Sequence, residues 1–507
     1  MIRSTICLAI LSSAVLAAER PNILVILTDD MGFSDLGCFG GEIETPNLDS
    51  LAASGVRFTE FYNTARCWPT RATLMSGRYS NALSPRQVTI PEVLRKAGYQ
   101  SGMVGKWHLG TDRQKDGPIQ RGFDAFYGTM AGGGSYWDPE TLTRNTEPAE
   151  PEGEDFYYTD KIGVEAARQI EAFAKSEKPF FQYVAFTAAH WPLHAPEETI
   201  ERYIGRYQGG WEQLRKERYA RMLKMGIIDK KRWPLPEPEK RVQDWKTIDH
   251  KEWRIRNQAV YAAMVDHMDQ AVGRMVAALK KTGRFDNTLI VYFHDNGACS
   301  EHLSGNAWNT ANLVLQKAKK AGQTIAVGDV YEVPMGGPLT YGSVGHNWAN
   351  AQNTPMRRYK ANVHNGGACT PSIMHWPAGL KVQSGSITSE RGHVVDLMAT
   401  CLELAGADYP EEFAGLPIDP HESLSLVPVL KGKSNDRHHP YLFNHANTHA
   451  VVKGDFKIVR EGRKGEWALY NIAKERTEIT NLAAQHPEIV LEMVKLWEAR
   501  WGKDGRN

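Results

Sequence analysis

The sequence has little cysteine, almost no net charge and no repeats, and each shortage excludes something. Six cysteines among 507 residues lie far apart, and no C-x-x-C pair is present to hold a structural zinc. A formal net charge of +1 leaves no surplus of lysine and arginine for a face that binds nucleic acid or a membrane surface. No internal repeat or low-complexity tract appears, so the chain is not a solenoid or a biased linker. The apolar run in the opening MIRSTICLAILSSAVLAAER is too short to span a bilayer comfortably. With Arg3 before it and Val15, Ala17 and Ala18 near its end, it reads as a signal peptide over 1–18, which predicts export to the periplasm or the medium. Cys7 falls in that segment. The spacing of Cys38, Cys299, Cys369 and Cys401 is compatible with two disulfides or none.

What is present is ordinary globular composition, 42% hydrophobic and 23% charged, in a chain long enough for one large core and a smaller companion. Three apolar, β-rich runs end in polar residues: PNILVILTDD (21–30), FFQYVAFTAAH (180–190) and NTLIVYFHDNG (287–297). Helix-like stretches fall at 45–55, 89–99, 161–176 and 257–283. Alternating strands and helices predict a mostly parallel α/β sheet whose ligand crevice lies beyond the carboxyl ends of the strands, where the polar ends converge. Two segments, 201–256 and 300–355, break the alternation and read as irregular insertions, either covering a site or inert. From about residue 436 the texture changes to short β-like runs (449–461, 466–472) and a final helix-like stretch (487–502). This divides the chain into a main domain, 19–435, and a small α+β unit, 436–507.

The chemistry-bearing residues sit at those strand ends and in short motifs. Asp29, Asp30, Asp295 and Asn296 offer carboxylate and amide oxygens without His or Cys, which suits a hard cation such as Ca²⁺ or Mg²⁺. In GKWHLG, Lys106 and His108 would point to one side of an extended segment. His190 ends the second strand run, with His194 and His364 as nearby competitors for its place, and Lys360 lies in MRRYKANVHNGG. Cys67-Trp68-Pro69-Thr70-Arg71 continues as ATLMSGR to Arg78.

CWPTRATLMSGR resembles the signature of the type I sulfatases. The resemblance extends over most of the chain, through TDD, KWHLG, HDNG and the lysine-containing block at 353–377. Within the family, WANAQNTPMRRYK is most similar to a bacterial periplasmic arylsulfatase subgroup. The resemblance implies an alkaline-phosphatase-like fold, a mostly parallel sheet sandwiched by helices with a small C-terminal α+β domain. It implies that a formylglycine-generating enzyme converts Cys67 to formylglycine, and that Asp29, Asp30, Asp295, Asn296 and residue 67 hold one calcium ion.

The roles it implies are that Arg71 holds the formylglycine hydrate and Lys106 binds sulfate. His108 takes a proton from the second hydroxyl to expel sulfate; His190 protonates the departing oxygen, assisted by Lys360. The substrate would be an aryl or carbohydrate sulfate monoester. Many relatives carry an acidic residue soon after the Asp-Asn-Gly turn and a Glu before the later Gly-Gly, where this chain has Ala298-Cys299 and His364-Asn365; the departure bears on substrate choice. A phosphodiesterase or phosphonate monoester hydrolase using the same nucleophile, and a catalytically silent sulfated-glycan binder, are the rival readings.

Overall fold

The computed structural model describes residues 20–303, 309–435 and 439–502; the signal expected at 1–18 lies outside the described residues. An eleven-stranded sheet organises the chain. Its strands are β1 (Asn22–Thr28), β2 (Val56–Tyr62), β3 (Gln100–Lys106), β4 (Ala125–Thr129), β5 (Leu142–Arg144), β6 (Glu147–Pro148), β7 (Phe180–Ala185), β8 (Thr288–His294), β9 (Cys369–His375), β10 (Ser386–Thr388) and β11 (Gly392–His393). The order is β10-β2-β9-β8-β1-β7-β3-β4-β5-β6, with β11 also on β2. The central run β8-β1-β7-β3-β4 is parallel, while β9 lies antiparallel to both β8 and β2. The fold is the mostly parallel, alkaline-phosphatase-like sandwich expected.

The alternation of side chains along the central strands builds two cores. Leu24, Ile26, Val184, Ile290 and Tyr292 face one side, against helices α1 (Pro46–Ser54), α4 (Tyr158–Phe173) and α7 (Lys251–Lys281). Ile23, Val25, Leu27, Phe181, Val291 and Phe293 face the other, against α2 (Cys67–Ser76), α3 (Ile90–Lys96) and the helix Leu397–Ala405. The start of α3 is fixed by a capping box, in which Thr89 accepts from the Glu92 N–H and Glu92 accepts from that of Thr89.

The segment 201–256 is not irregular throughout. It contains the second half of α5 (Glu197–Ile204), all of α6 (Gly210–Lys224) and the first six residues of α7, which begins six residues before the expected stretch. The buried stripe of α6 is Trp211, Leu214, Arg215, Arg218 and Met222. Two arginines interrupt its hydrophobic period, and Arg218 is buried because Asp35 (2.5 Å) and Glu42 (2.7 Å) pair with it. Periodicity of apolar residues alone misses such a helix. The segment 300–355 likewise carries helices at Asn309–Lys320 and Gly345–Gln352.

At the C-terminal end, β12 (Tyr441–His445), β13 (Thr448–Lys453), β14 (Phe456–Glu461) and β15 (Trp467–Asn471) form an antiparallel sheet. One face, Val451, Ile458 and Leu469, packs on Trp497 of the closing helix Pro487–Trp501. The other sets Tyr441 and Phe443 against Tyr62 of the main sheet. Among the described residues no helix is long and apolar enough to cross a membrane, and Cys38, Cys67, Cys299, Cys369 and Cys401 are all free.

Candidate active site

Cys67 is the first residue of α2, behind the extended N-cap Arg66. The open end of a ten-residue helix presents unpaired backbone N–H groups and a partial positive charge, a setting that favours an anion. Arg71 stands one turn later on the same side. Its guanidinium donates to Asp295 (2.7 Å), to Asp29 (3.2 Å) and to the carbonyl of Lys106 (2.9 Å), joining the ends of β1, β3 and β8. Thr70 adds a bond from its hydroxyl to the carbonyl of Asp295 (2.7 Å).

Behind Cys67 lies a dry layer of alternating charge. Asp29 receives Lys106 as well as Arg71, and Asp30 receives Lys360 at 2.8 Å and the Asn296 amide at 2.7 Å. The residue 30 backbone is left-handed (φ 59°), and a carboxylate oxygen of Asp30 lies within 4.8 Å of one from Asp29. Three oxygens in this layer, Oδ1 of Asp29, of Asp295 and of Asn296, are buried without a hydrogen-bond partner. Orphan acceptors of this kind are costly unless a cation satisfies them, and an all-oxygen set fits a hard divalent ion. Burial, with the charge of Asp29 beside it, pushes the Asp295 carboxyl up to about 7.

Cys67, His108 and His190 line one cleft of about 530 Å³, with Arg66, Trp68 and Trp191 at its walls. Burial raises the Cys67 thiol above its ordinary range despite Lys106 and Lys360, so the pocket does not favour a thiolate. His108 is not on an extended segment as anticipated. Its φ is 57°, because the chain leaves β3 at Lys106 and turns, and the reason it reaches the cleft is this turn rather than strand alternation. Burial, then Lys106 and Arg71, holds its imidazole well below its ordinary pKa. Gly132 makes the ring position possible: a Cβ there would stand 2.3 Å from the His108 Nε2.

His190 shares the cleft, and its Nδ1 donates to the carbonyl of Trp191 (2.6 Å), which leaves Nε2 for the site, 3.6 Å from Asp30. Burial, then Lys360, keeps it well below its ordinary pKa. Both rivals are engaged elsewhere. His194 bonds Thr340 and Tyr136, and His364 bonds Asn362 and packs on Tyr470 of the C-terminal sheet.

The structure thus gathers Asp29, Asp30, Cys67, Arg71, Lys106, His108, His190, Asp295, Asn296 and Lys360 around one cleft. It adds a residue that the sequence pattern did not. Glu301 accepts from Arg66 (2.6 Å) and from the Trp191 indole (2.9 Å), and lies 3.4 Å from Lys360. Burial opposes its charge, but Lys360 and Arg66 outweigh this and hold its carboxyl far below the usual range. An acidic group does follow the Asp-Asn-Gly turn, four residues past Gly297; a search tolerant of spacing would have found it. His445 from β12 also reaches the site wall, against Trp68.

The family model for sulfatases matches residues 21–407. The chain belongs to the sulfatase family. This sulfatase is 31% identical to an uncharacterized sulfatase of Schizosaccharomyces pombe, over 95% of this chain and 93% of that protein. It is 32% identical to the arylsulfatase of Klebsiella aerogenes, over 83% and 94%. Its fold matches the crystal structure of Ps i-CgsB in complex with k-i-k-neocarrahexaose with a TM-score of 0.66 and 25% identity, over 96% and 94% of the two chains. The chain is a sulfuric ester hydrolase.

Proposed function

We propose that this sulfatase cleaves aryl or carbohydrate sulfate monoesters with a formylglycine at position 67 and one calcium ion, after export and maturation by a formylglycine-generating enzyme. The observation that carries the reading is the meeting of a helix-heading Cys67 with the imidazoles of His108 and His190 above a buried layer of paired charges with three unsatisfied oxygens. Burial disfavours the thiolate form of an unmodified Cys67. A hydrated aldehyde instead supplies an attacking oxygen and a second hydroxyl for expelling sulfate.

Asp29, Asp30, Asp295, Asn296 and residue 67 would hold the calcium ion, which supplies charge compensation for sulfate oxygens and polarises the attacking group. Arg71 fixes the side chain at 67 from below, with its fork anchored on two carboxylates. Lys106 and Lys360 flank the position of the sulfate, each paired with a carboxylate beneath it. His190, with Nδ1–H tied to a carbonyl, turns Nε2 to the site beside Asp30; as the imidazolium, favoured by the negative charge that the sulfate ester brings into the cleft, it gives the Nε2 proton to the leaving oxygen and returns to the neutral ring. His108 is neutral and has Nδ1 free of protein partners, so it accepts the proton whose loss drives sulfate out. Residues 436–507 act as a companion unit that props the loop bearing Lys360: Glu461 holds Arg358 and Asn362, and Thr448 bonds the carbonyl of Ala361.

The test is kcat/KM on matched aryl sulfate and aryl phosphate esters, with Cys67→Ala as the blank. The reading requires a preference for sulfate that disappears in Cys67→Ala. A preference for phosphate, or full activity in Cys67→Ala, overturns it.

A further inference from the structure

The two insertions that the catalytic reading leaves without a task meet beside the site. A groove of about 830 Å³ is lined by residues 236–241 from the first insertion, by Ser300 and His346 from the second, and by the loop Arg357–Lys360 and Asn362. Glu301 links the groove to the catalytic cleft, accepting from Arg66 and Trp191 of the cleft and lying 3.4 Å from Lys360 of the groove. A second hollow of about 420 Å³ continues it, sharing Arg241 and His346, and is faced by Tyr331, Trp211 and Trp253.

The charge of this groove is positive after its internal pairs are counted. Arg358 and Glu239 satisfy one another (3.1 Å). Arg357 is anchored on the carbonyl of Glu478, an uncharged acceptor. Lys240 and Arg241 are exposed on the rim and have no ion-pair partner among the described residues. Among the described residues, three cations therefore face one carboxylate without an ion-pair partner, Glu237. A monosulfated aryl ester fills the cleft alone and has nothing to place here. An oligosaccharide that bears further sulfate or carboxylate groups does.

We propose that the groove at Lys240, Arg241 and Arg357 is an anion-binding subsite, so that the substrate of this sulfatase is a polyanionic oligosaccharide carrying at least one charged group besides the ester that is cleaved. The proposal rests on the sulfatase reading of the adjoining cleft and assigns the two insertions to substrate choice.

The experiment is calorimetric titration of the full-length chain with two probes, a heparin-derived hexasaccharide and inorganic sulfate. It compares the wild type, the double variant Lys240→Ala/Arg241→Ala, and the control Lys230→Ala/Lys231→Ala, which removes two exposed lysines outside the groove. Loss of two exposed charge contacts should weaken the hexasaccharide relative to sulfate by roughly fivefold to tenfold. The control should leave that ratio where it is, and thermal melts should show both variants folded. An unchanged ratio in the groove variant, an equal fall in the control, or a wild type that binds the hexasaccharide no better than sulfate overturns the proposal. Failure of the wild type to release sulfate from an aryl sulfate would count against the reading of the cleft and leave this comparison intact.

Discussion

Gly132→Ala isolates the placement of one imidazole from the stability of the fold. A Cβ at 132 would meet the His108 ring at 2.3 Å from Nε2 and 2.4 Å from Cε1. The backbone at 132 is not in the left-handed region, so alanine fits the chain and the clash falls on the ring. Ordinary contact requires the ring to retreat by about 1 Å, and displacements of that size cost about a hundredfold in rate at a site that depends on alignment. Trp68 packs edge-on against His108, at 5.8 Å between ring centroids, which limits where the ring can go. If His108 drives sulfate out in the second half of the cycle, the loss has a signature. Rapid-mixing experiments with a chromogenic aryl sulfate should show about one equivalent of alcohol released at near-normal speed, then slow turnover, with sulfate lagging behind. The melting temperature should stay within a few degrees of the wild type. Activity within threefold of the wild type refutes the geometric argument, and a matched fall of alcohol and sulfate without a burst refutes the role given to His108.

Two further outcomes follow from the buried charges. Chelation should lower the melting temperature as well as activity, and calcium should restore both; at a hundred times its dissociation constant the ion adds about 2.7 kcal/mol, readable by scanning fluorimetry without substrate. A melting temperature indifferent to chelator and calcium contradicts the assignment of the orphan oxygens of Asp29, Asp295 and Asn296. Glu60 is fully buried among Arg232, Arg391 and Arg476, and these arginines outweigh burial to lower its pKa from 4.5. A lowered carboxylate contributes stability that is present above its unfolded pKa and lost as the pH falls below it. Glu60→Gln should therefore cost about 3–5 kcal/mol at neutral pH, with a smaller difference from the wild type below about pH 4. Urea titrations at both pH values check this, and a difference independent of pH contradicts it.

The parts of the fold and site that were legible in the sequence are those with a local chemical signature. Strands β1, β7 and β8 were readable because they are buried on both faces and so are continuously apolar, and because Asp29, His190 and Asp295 punctuate their ends. Helix α6 was not, because Arg218 occupies a core position that only its distant partners Asp35 and Glu42 make affordable. Strand β9, carrying Pro371 and running against its neighbours, has no parallel-strand signature. Glu301 escaped notice because its importance is a matter of three-dimensional neighbours, Arg66, Trp191 and Lys360, that lie 235, 110 and 59 positions away. The convergence of Asp29, Asp30, Lys106, Asp295 and Asn296, by contrast, needed only that β1, β3 and β8 run parallel in one sheet, since their carboxyl ends then share an edge.

The central claim is that residue 67 acts as an aldehyde and not as a thiol. Mass spectrometry of the peptide spanning position 67, on protein purified from its native host and assayed in parallel, tests it most directly. An aldehyde at position 67 gives the mass loss of a thiol-to-aldehyde conversion, reactivity toward a hydroxylamine probe, and specific activity in proportion to the converted fraction. Full sulfatase activity from protein whose position 67 is entirely unmodified cysteine would contradict it.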